Sequence, residues 1–238
     1  MPRRILKIIF IFILGVGGGI FADQILWPYF IERPLFFKYR LDQSPVYITE
    51  NNQITVQENT ALQDAVEKVK KSVVGIDTKT KTGKQIKGSG LVLTSDGLVV
   101  TLAELVPQGA DFSLFLNSKP ADFMVLKRDL SKNLALIKIE EKNLAAAPFS
   151  ASDKIKLGQR VFLLAKVMDK ASEQDIINEG AARTFGPDYI QTNISEKTEI
   201  EGSPLFNIEG EVLGLNFINS DAKVSAISVE TIREFAGI

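Results

Sequence analysis

The stretch Ile190-Gln191-Thr192-Asn193-Ile194-Ser195-Glu196-Lys197-Thr198-Glu199-Ile200-Glu201-Gly202-Ser203-Pro204-Leu205-Phe206-Asn207 reads as two strands around an acidic loop. Ile190-Gln191-Thr192 leads in, and Pro204-Leu205-Phe206-Asn207 leads out into a second strand. Between them Glu196, Glu199 and Glu201 place three acids within six residues. Such a cluster reads first as solubility and second as a surface for a basic partner.

Outward from this loop the chain is a succession of short β runs. Upstream they are Val73–Thr80, Gly88–Thr94, Val99–Thr101, Phe112–Leu116, Asp122–Lys127 and Ala135–Glu140. Arg160–Ala165, Gln174–Glu179, Tyr189–Asn193, Leu205–Asn207, Val212–Phe217 and Val224–Ile227 form the second group. Ser95-Asp96-Gly97 is a hairpin turn of the Asp-Gly kind. Helical spacing is confined to the two ends of this region. Leu62, Ala65, Val66 and Val69 predict a short amphipathic helix over 61–71, opened by a Thr60-x-x-Gln63 capping box. Ser228 predicts the cap of a closing helix over Val229–Phe235, stopped by Gly237. Two groups of about six strands, with no βα alternation, predict an all-β fold of two packed barrels, about 72–145 and 155–228. Ala145 to Gly158 reads as the link between them.

Composition narrows the chemistry. The chain has 238 residues and a net charge of −1, which argues against general affinity for nucleic acid. Cysteine is absent, so thiol catalysis, disulfides and thiolate metal sites are excluded. Histidine is absent as well, which removes every Ser-His-Asp triad, Cys-His dyad and His-ligated zinc site. The sequence predicts no metal and no cofactor.

The N-terminal part has a different texture. Residues 1–4 are basic, and Ile5 to Ala22 follows with Lys7 as its only charge. Trp27 and Tyr29 extend the apolar character into residues suited to a membrane interface, so 5–30 reads as a transmembrane anchor with its interfacial segment. Arg3, Arg4 and Lys7 put the N-terminus in the cytoplasm and the rest outside, in a single-pass cell-membrane protein. A signal peptide cleaved after Ala22 is the alternative. Residues 31–58 read as a linker with one short strand at Gln53–Gln57. Its Phe36, Phe37 and Tyr39 are apolar enough to contact the domain or another subunit.

Four motifs then carry a resemblance. Ser72-Val73-Val74-Gly75-Ile76, the run Gly88-Ser89-Gly90 through Ser95-Asp96-Gly97 to Thr101, and Asp129 through Asn133-Leu134-Ala135 to Ile139 stand in order before the acidic loop. Together they resemble the HtrA (Deg) family of trypsin-like serine proteases, over residues 59–238. The resemblance implies a chymotrypsin-like double β-barrel. It also implies that the family's triad positions fall on Glu104, Asn133 and Glu201, in place of His, Asp and Ser. Glu199 stands where the family's glycine eases the oxyanion turn, and Ser203 where its motif has a second glycine. Glu201 has no hydroxyl to attack with, and a carboxylate at 104 is a weak base beside imidazole. Losing triad members removes about 10⁴–10⁶ in rate.

The expected protein is a pseudoprotease of envelope quality control, binding or scaffolding a peptide or an unfolded protein. Trimers are common in the family, so a homotrimer or an assembly with an active relative is expected. Glu104, Glu199, Glu201 and Ser203 are the candidate peptide or cation cleft. Two close carboxylates raise one pKa or recruit a cation, though the plainer reading is two solvated acids in a disused cleft. The alternatives are a divergent serine endopeptidase, for instance a dyad of Ser195 or Ser203 with Lys197, and a surface structural domain. Active relatives often continue into a peptide-binding PDZ domain, and this chain is expected to lack one.

Overall fold

The computed structural model describes residues 2–31, 58–151, 155–169, 172–196 and 199–238. The chain divides into two units, Met1–Thr55 and Val56–Ile238.

The first unit holds α1 (Pro2–Phe21), continued by a π-helical segment, Ala22–Ile31. Its stretch Arg3–Trp27 is 25 residues long, and it is long and apolar enough to cross a bilayer. Ile5, Leu6, Phe10 and Ile11 point outward all round the helix. A helix apolar on every side is stable only against lipid or protein. The strand expected at Gln53–Gln57 and the aromatic residues Phe36, Phe37 and Tyr39 lie outside the described residues.

The second unit opens with α2 (Glu58–Val69) and a 3₁₀ turn, Lys70–Ser72. Ala65, Val66 and Val69 are buried at the expected spacing. Thr60 is not the residue that precedes the helix. The helix starts two residues ahead of Thr60, so Thr60 sits inside the first turn; helix ends slip this far because terminal turns are weakly held. Lys68 donates from Nζ to the Glu209 carbonyl at 2.8 Å and so ties α2 to the later strands.

The unit is β in two parts. The first comprises β1 (Val73–Lys79), β2 (Gln85–Val92), β3 (Leu98–Leu102), β4 (Asp111–Leu116), β5 (Lys119–Ala121), β6 (Phe123–Asp129) and β7 (Leu134–Ile139). They form an antiparallel sheet in the order β5-β4-β1-β2-β3-β7-β6. Strand β5 goes beyond the sequence expectation. It is three residues long with Pro120 at its centre, and proline is tolerated there because β5 is an edge.

The second part comprises β8 (Arg160–Asp169), β9 (Ser172–Phe185), β10 (Tyr189–Ser195), β11 (Pro204–Asn207), β12 (Val212–Ile218) and β13 (Lys223–Ser228). It closes into a barrel, β10-β13-β12-β11-β8-β9, which removes the exposed edges an open sheet would carry. The link between the parts is stitched to β12: Val212 N–H donates to the Pro148 carbonyl at 2.8 Å, and Ser150 N–H donates to Val212 O at 2.9 Å.

One core runs through both parts. Leu91, Val100 and Ile137 of the sheet join Phe162 and Phe206 of the barrel in a single buried cluster. The rings of Phe162 and Phe206 stack with centroids 5.3 Å apart. A second cluster, including Val161, Leu163, Ile190 and Leu205, fills the barrel. The closing helix α3 (Val229–Ala236) is capped by Ser228, whose side chain accepts from Thr231 N–H, and it ends at a left-handed Gly237.

Candidate functional site

Three segments bring the site together: the turn after β3, the turn before β7, and the loop between β10 and β11. The first and third are placed mainly by backbone bonds, the second by a side chain. In the first, the chain leaves β3 and makes a single 3₁₀ turn, Ala103–Leu105, whose Ala103 and Leu105 are buried while Glu104 faces solvent.

The second is built by Asp129. Its Oδ1 accepts from Ser131 N–H at 2.9 Å, Ser131 Oγ at 2.6 Å and Lys132 N–H at 3.1 Å. These bonds, the Ser131 hydroxyl foremost, favour the ionised carboxylate and lower its pKa. The turn delivers Asn133 in a left-handed conformation, φ 51°, which asparagine tolerates better than most residues. The Asn133 carbonyl accepts from Ala103 N–H at 3.1 Å. Its side chain then serves Glu104 twice: Oδ1 accepts from Glu104 N–H at 3.2 Å, and Nδ2 donates to Glu104 Oε1 at 2.9 Å. An amide does both because it carries an acceptor oxygen and a donor nitrogen side by side.

The loop is seated on β2. Ser89 N–H donates to the Glu201 carbonyl at 2.9 Å, and Gly202 N–H donates to Asn216 O at 2.9 Å. Gly202 has φ 72°, and a Cβ there would lie 2.2 Å from the Ser89 carbonyl oxygen, so glycine is required twice over. Thr101 Oγ1 holds that same carbonyl at 2.7 Å. Glu199 also adopts a left-handed backbone, φ 68°, without being glycine. That conformation costs a non-glycine residue about 1–2 kcal/mol.

Glu199 and Glu201 line a cavity of about 480 Å³. Ile86 and Ile218 give it apolar surface, and Lys84 and Lys87 stand at its basic side. Burial pushes the Glu201 carboxyl above its ordinary pKa, the charge of Glu104 pushes it further, and Lys84 opposes both. Glu104 and Glu201 are therefore within electrostatic reach, and Glu199 shares the cavity with Glu201.

Ser203 stands apart from the others. It is fully buried, its hydroxyl accepts from Asn216 Nδ2 at 3.1 Å, and it does not line the cavity. It stands just ahead of β11, in a run from Gly202 to Asn207 that is buried throughout. Ser195 is exposed and accepts from Lys223 Nζ at 2.7 Å, while Lys197 lies outside the described residues. Among the described residues no group of three or more Asp or Glu side chains is placed to hold a metal ion. Lys84 and Lys87 are the site residues that sequence reasoning missed. The signal was the basic hairpin from Lys79 to Lys87, whose partner in space is not visible in sequence.

The comparisons fit this geometry. A model of the trypsin-like peptidase domain matches residues 88–215, more than half of the chain. A protein of Pseudomonas putida strain GB-1 named "Probable periplasmic serine endoprotease DegP-like" is 30% identical over 139 residues, 56% of this chain and 29% of its own length. Serine protease HTRA1A of Danio rerio is 30% identical over 195 residues, 73% of this chain and 40% of its own. Serine protease HTR4 of Rattus norvegicus is 30% identical over 191 residues, covering 71% and 38%. The chain thus spans well under half the length of these relatives. The β2–β3 hairpin from Gly88 onward, the turn into β7 and the acidic loop all fall inside the matched region, and with them the chain belongs to the HtrA/Deg family of trypsin-like peptidase domains.

Proposed function

We propose that this chain is a membrane-anchored HtrA-type domain that binds polypeptide without cleaving it. One observation carries the reading. Where the family's triad would bring imidazole and carboxylate together, Asn133 donates to the Glu104 carboxylate, and Glu201 presents a third side chain without a nucleophilic hydroxyl. No proton acceptor matched to a hydroxyl is assembled there, and the buried Ser203 hydroxyl is committed to Asn216. The cavity beside Glu201, with apolar surface between charges of both signs, suits an extended polypeptide.

In this reading α1 is a retained single-pass anchor with a cytoplasmic N-terminus, residues 31–58 are a linker, and residues 59–238 lie outside the cytoplasm. A homotrimer, or an assembly with an active relative, serves envelope protein quality control. The test pairs hydrolysis with binding. Purified full-length chain in detergent should bind fluorescent unfolded casein, release no fragments, and take up no fluorophosphonate. Casein turnover, or stoichiometric labelling abolished by Ser203→Ala, would overturn it in favour of a divergent endopeptidase. Absence of both binding and turnover would leave a structural domain.

A further inference from the structure

A second cavity, of about 340 Å³, opens where the β4–β5 turn meets β8 and β9. At its base Glu173 and Lys166 form an ion pair whose side chains are only 5% and 8% exposed. Glu173 uses both oxygens. Oε1 accepts from Lys166 Nζ, and Oε2 accepts from the backbone N–H of Ser118. Burying a carboxylate costs several kcal/mol unless its oxygens are met in this way.

The backbone that carries each of the two groups gripping the carboxylate is held by other bonds. Lys166 is fixed through its backbone: its N–H donates to Ser89 Oγ at 2.9 Å, and that hydroxyl donates to Lys166 O at 3.2 Å. Asn117 and Ser118 form the two-residue turn between paired Leu116 and Lys119, both left-handed at φ 49° and 65°. Such turns aim backbone N–H groups at anions. An ammonium and an N–H from opposite parts of the fold thus converge on one carboxylate, and Glu173 supplies it. Lys70 and Lys71 line the cavity above it, while Asp175 lies 4.0 Å from Lys166 Nζ.

We propose that Lys166 and the Asn117–Ser118 turn are a carboxylate-binding site, filled in the free protein by the chain's own Glu173 and able to take a carboxylate from a second molecule when Glu173 is out. Because the receptor spans sheet and barrel, its occupancy fixes the β4–β5 hairpin to the barrel. The inference is independent of whether the chain cleaves peptides.

The test is chemical rescue of the full-length chain in detergent. Glu173→Ala, combined with Asp175→Asn to remove the neighbouring acid, should raise amide exchange over residues 111–121 by about tenfold. Acetate at tens of millimolar, at constant ionic strength, should restore most of that protection, and chloride should restore none. Wild-type exchange should not respond to acetate, since its site is full. A folded variant in which acetate does no better than chloride would overturn the proposal. Should that variant not fold, Lys166→Met carries the test: exchange over 111–121 must rise above any global increase, and an unchanged hairpin refutes the site.

Discussion

Gly202 allows the seat of the acidic loop to be measured in free energy. Gly202→Ala imposes two separable penalties. An L-residue at φ 72° costs about 1–2 kcal/mol. A Cβ placed 2.2 Å from the Ser89 carbonyl and 2.8 Å from Thr101 Oγ1 adds overpacking against backbone, about 1–3 kcal/mol. Together the loss is about 2–5 kcal/mol. Gly83 isolates the first part, because it has φ 83° and nothing within 4 Å of its Cβ position. Gly83→Ala therefore costs about 1 kcal/mol, after the smaller entropy of the unfolded alanine chain is credited. Urea unfolding of the detergent-solubilised chain, followed by far-ultraviolet dichroism, reads both. With a slope of about 2 kcal/mol per molar, Gly202→Ala should lower the midpoint by about 1–2.5 M and Gly83→Ala by about 0.5 M. Equal midpoints for the two variants would refute the claim that the loop is locked onto β2 by close approach.

Three further perturbations follow from the same geometry. Glu201→Gln tests the raised carboxyl pKa: the folded state holds that proton more tightly than the unfolded chain, so stability is greatest below about pH 4.5 and is lost as pH rises through the folded value. The variant should accordingly be more stable than the parent at pH 7 and equal to it at about pH 4; the reverse order would contradict the assigned burial. Asp96 behaves oppositely, because the Lys138 side chain, with Thr94, lowers its carboxyl from 3.8 to about 2. Its contribution is present above pH 3.8 and lost as pH falls towards 2, so Asp96→Asn should flatten that part of an acid titration of stability, while Lys138→Met should move the Asp96 pKa, read by NMR, up towards its ordinary value, with the Thr94 bond still holding it below. Phe206→Ala, which empties a fully buried site stacked on Phe162, should cost about 3–5 kcal/mol in urea unfolding.

Most of the architecture was legible because strand signals here are local. Ser95-Asp96-Gly97 sits in its turn, with Leu93 N–H donating to Leu98 O at 2.7 Å, and Ser228 and Gly237 bracket the last helix as read. Strand β5 escaped because Lys119-Pro120-Ala121 has neither length nor alternation, and its pairing to β4 is what makes it a strand. The site was legible as a list of side chains and not as an arrangement. Glu104 and Asn133 are 29 positions apart, and nothing in sequence says that the asparagine donates to the glutamate. Lys84 and Lys166 were silent for the same reason, since charge complementarity across a cleft appears only once the chain has closed on itself.

The bonds that position the site run largely through main-chain atoms: Ala103 N–H to Asn133 O, Ser89 N–H to Glu201 O, Gly202 N–H to Asn216 O. A frame held this way depends little on which side chains stand at 104, 133 and 201. The side chains must still suit one another. Asn133→Asp replaces the donor that meets Glu104 Oε1 with a second carboxylate 2.9 Å away. Losing this exposed charge-assisted bond and adding repulsion should cost about 1–2 kcal/mol. Glu104→His in the same chain supplies an imidazole N–H for the carboxylate introduced at 133 to accept, so the pair should recover most of that loss. A double-mutant cycle by urea unfolding should therefore give a favourable coupling of about 1 kcal/mol or more. Strict additivity would mean that residues 104 and 133 do not communicate through their side chains, and the pairing assigned to them would fall.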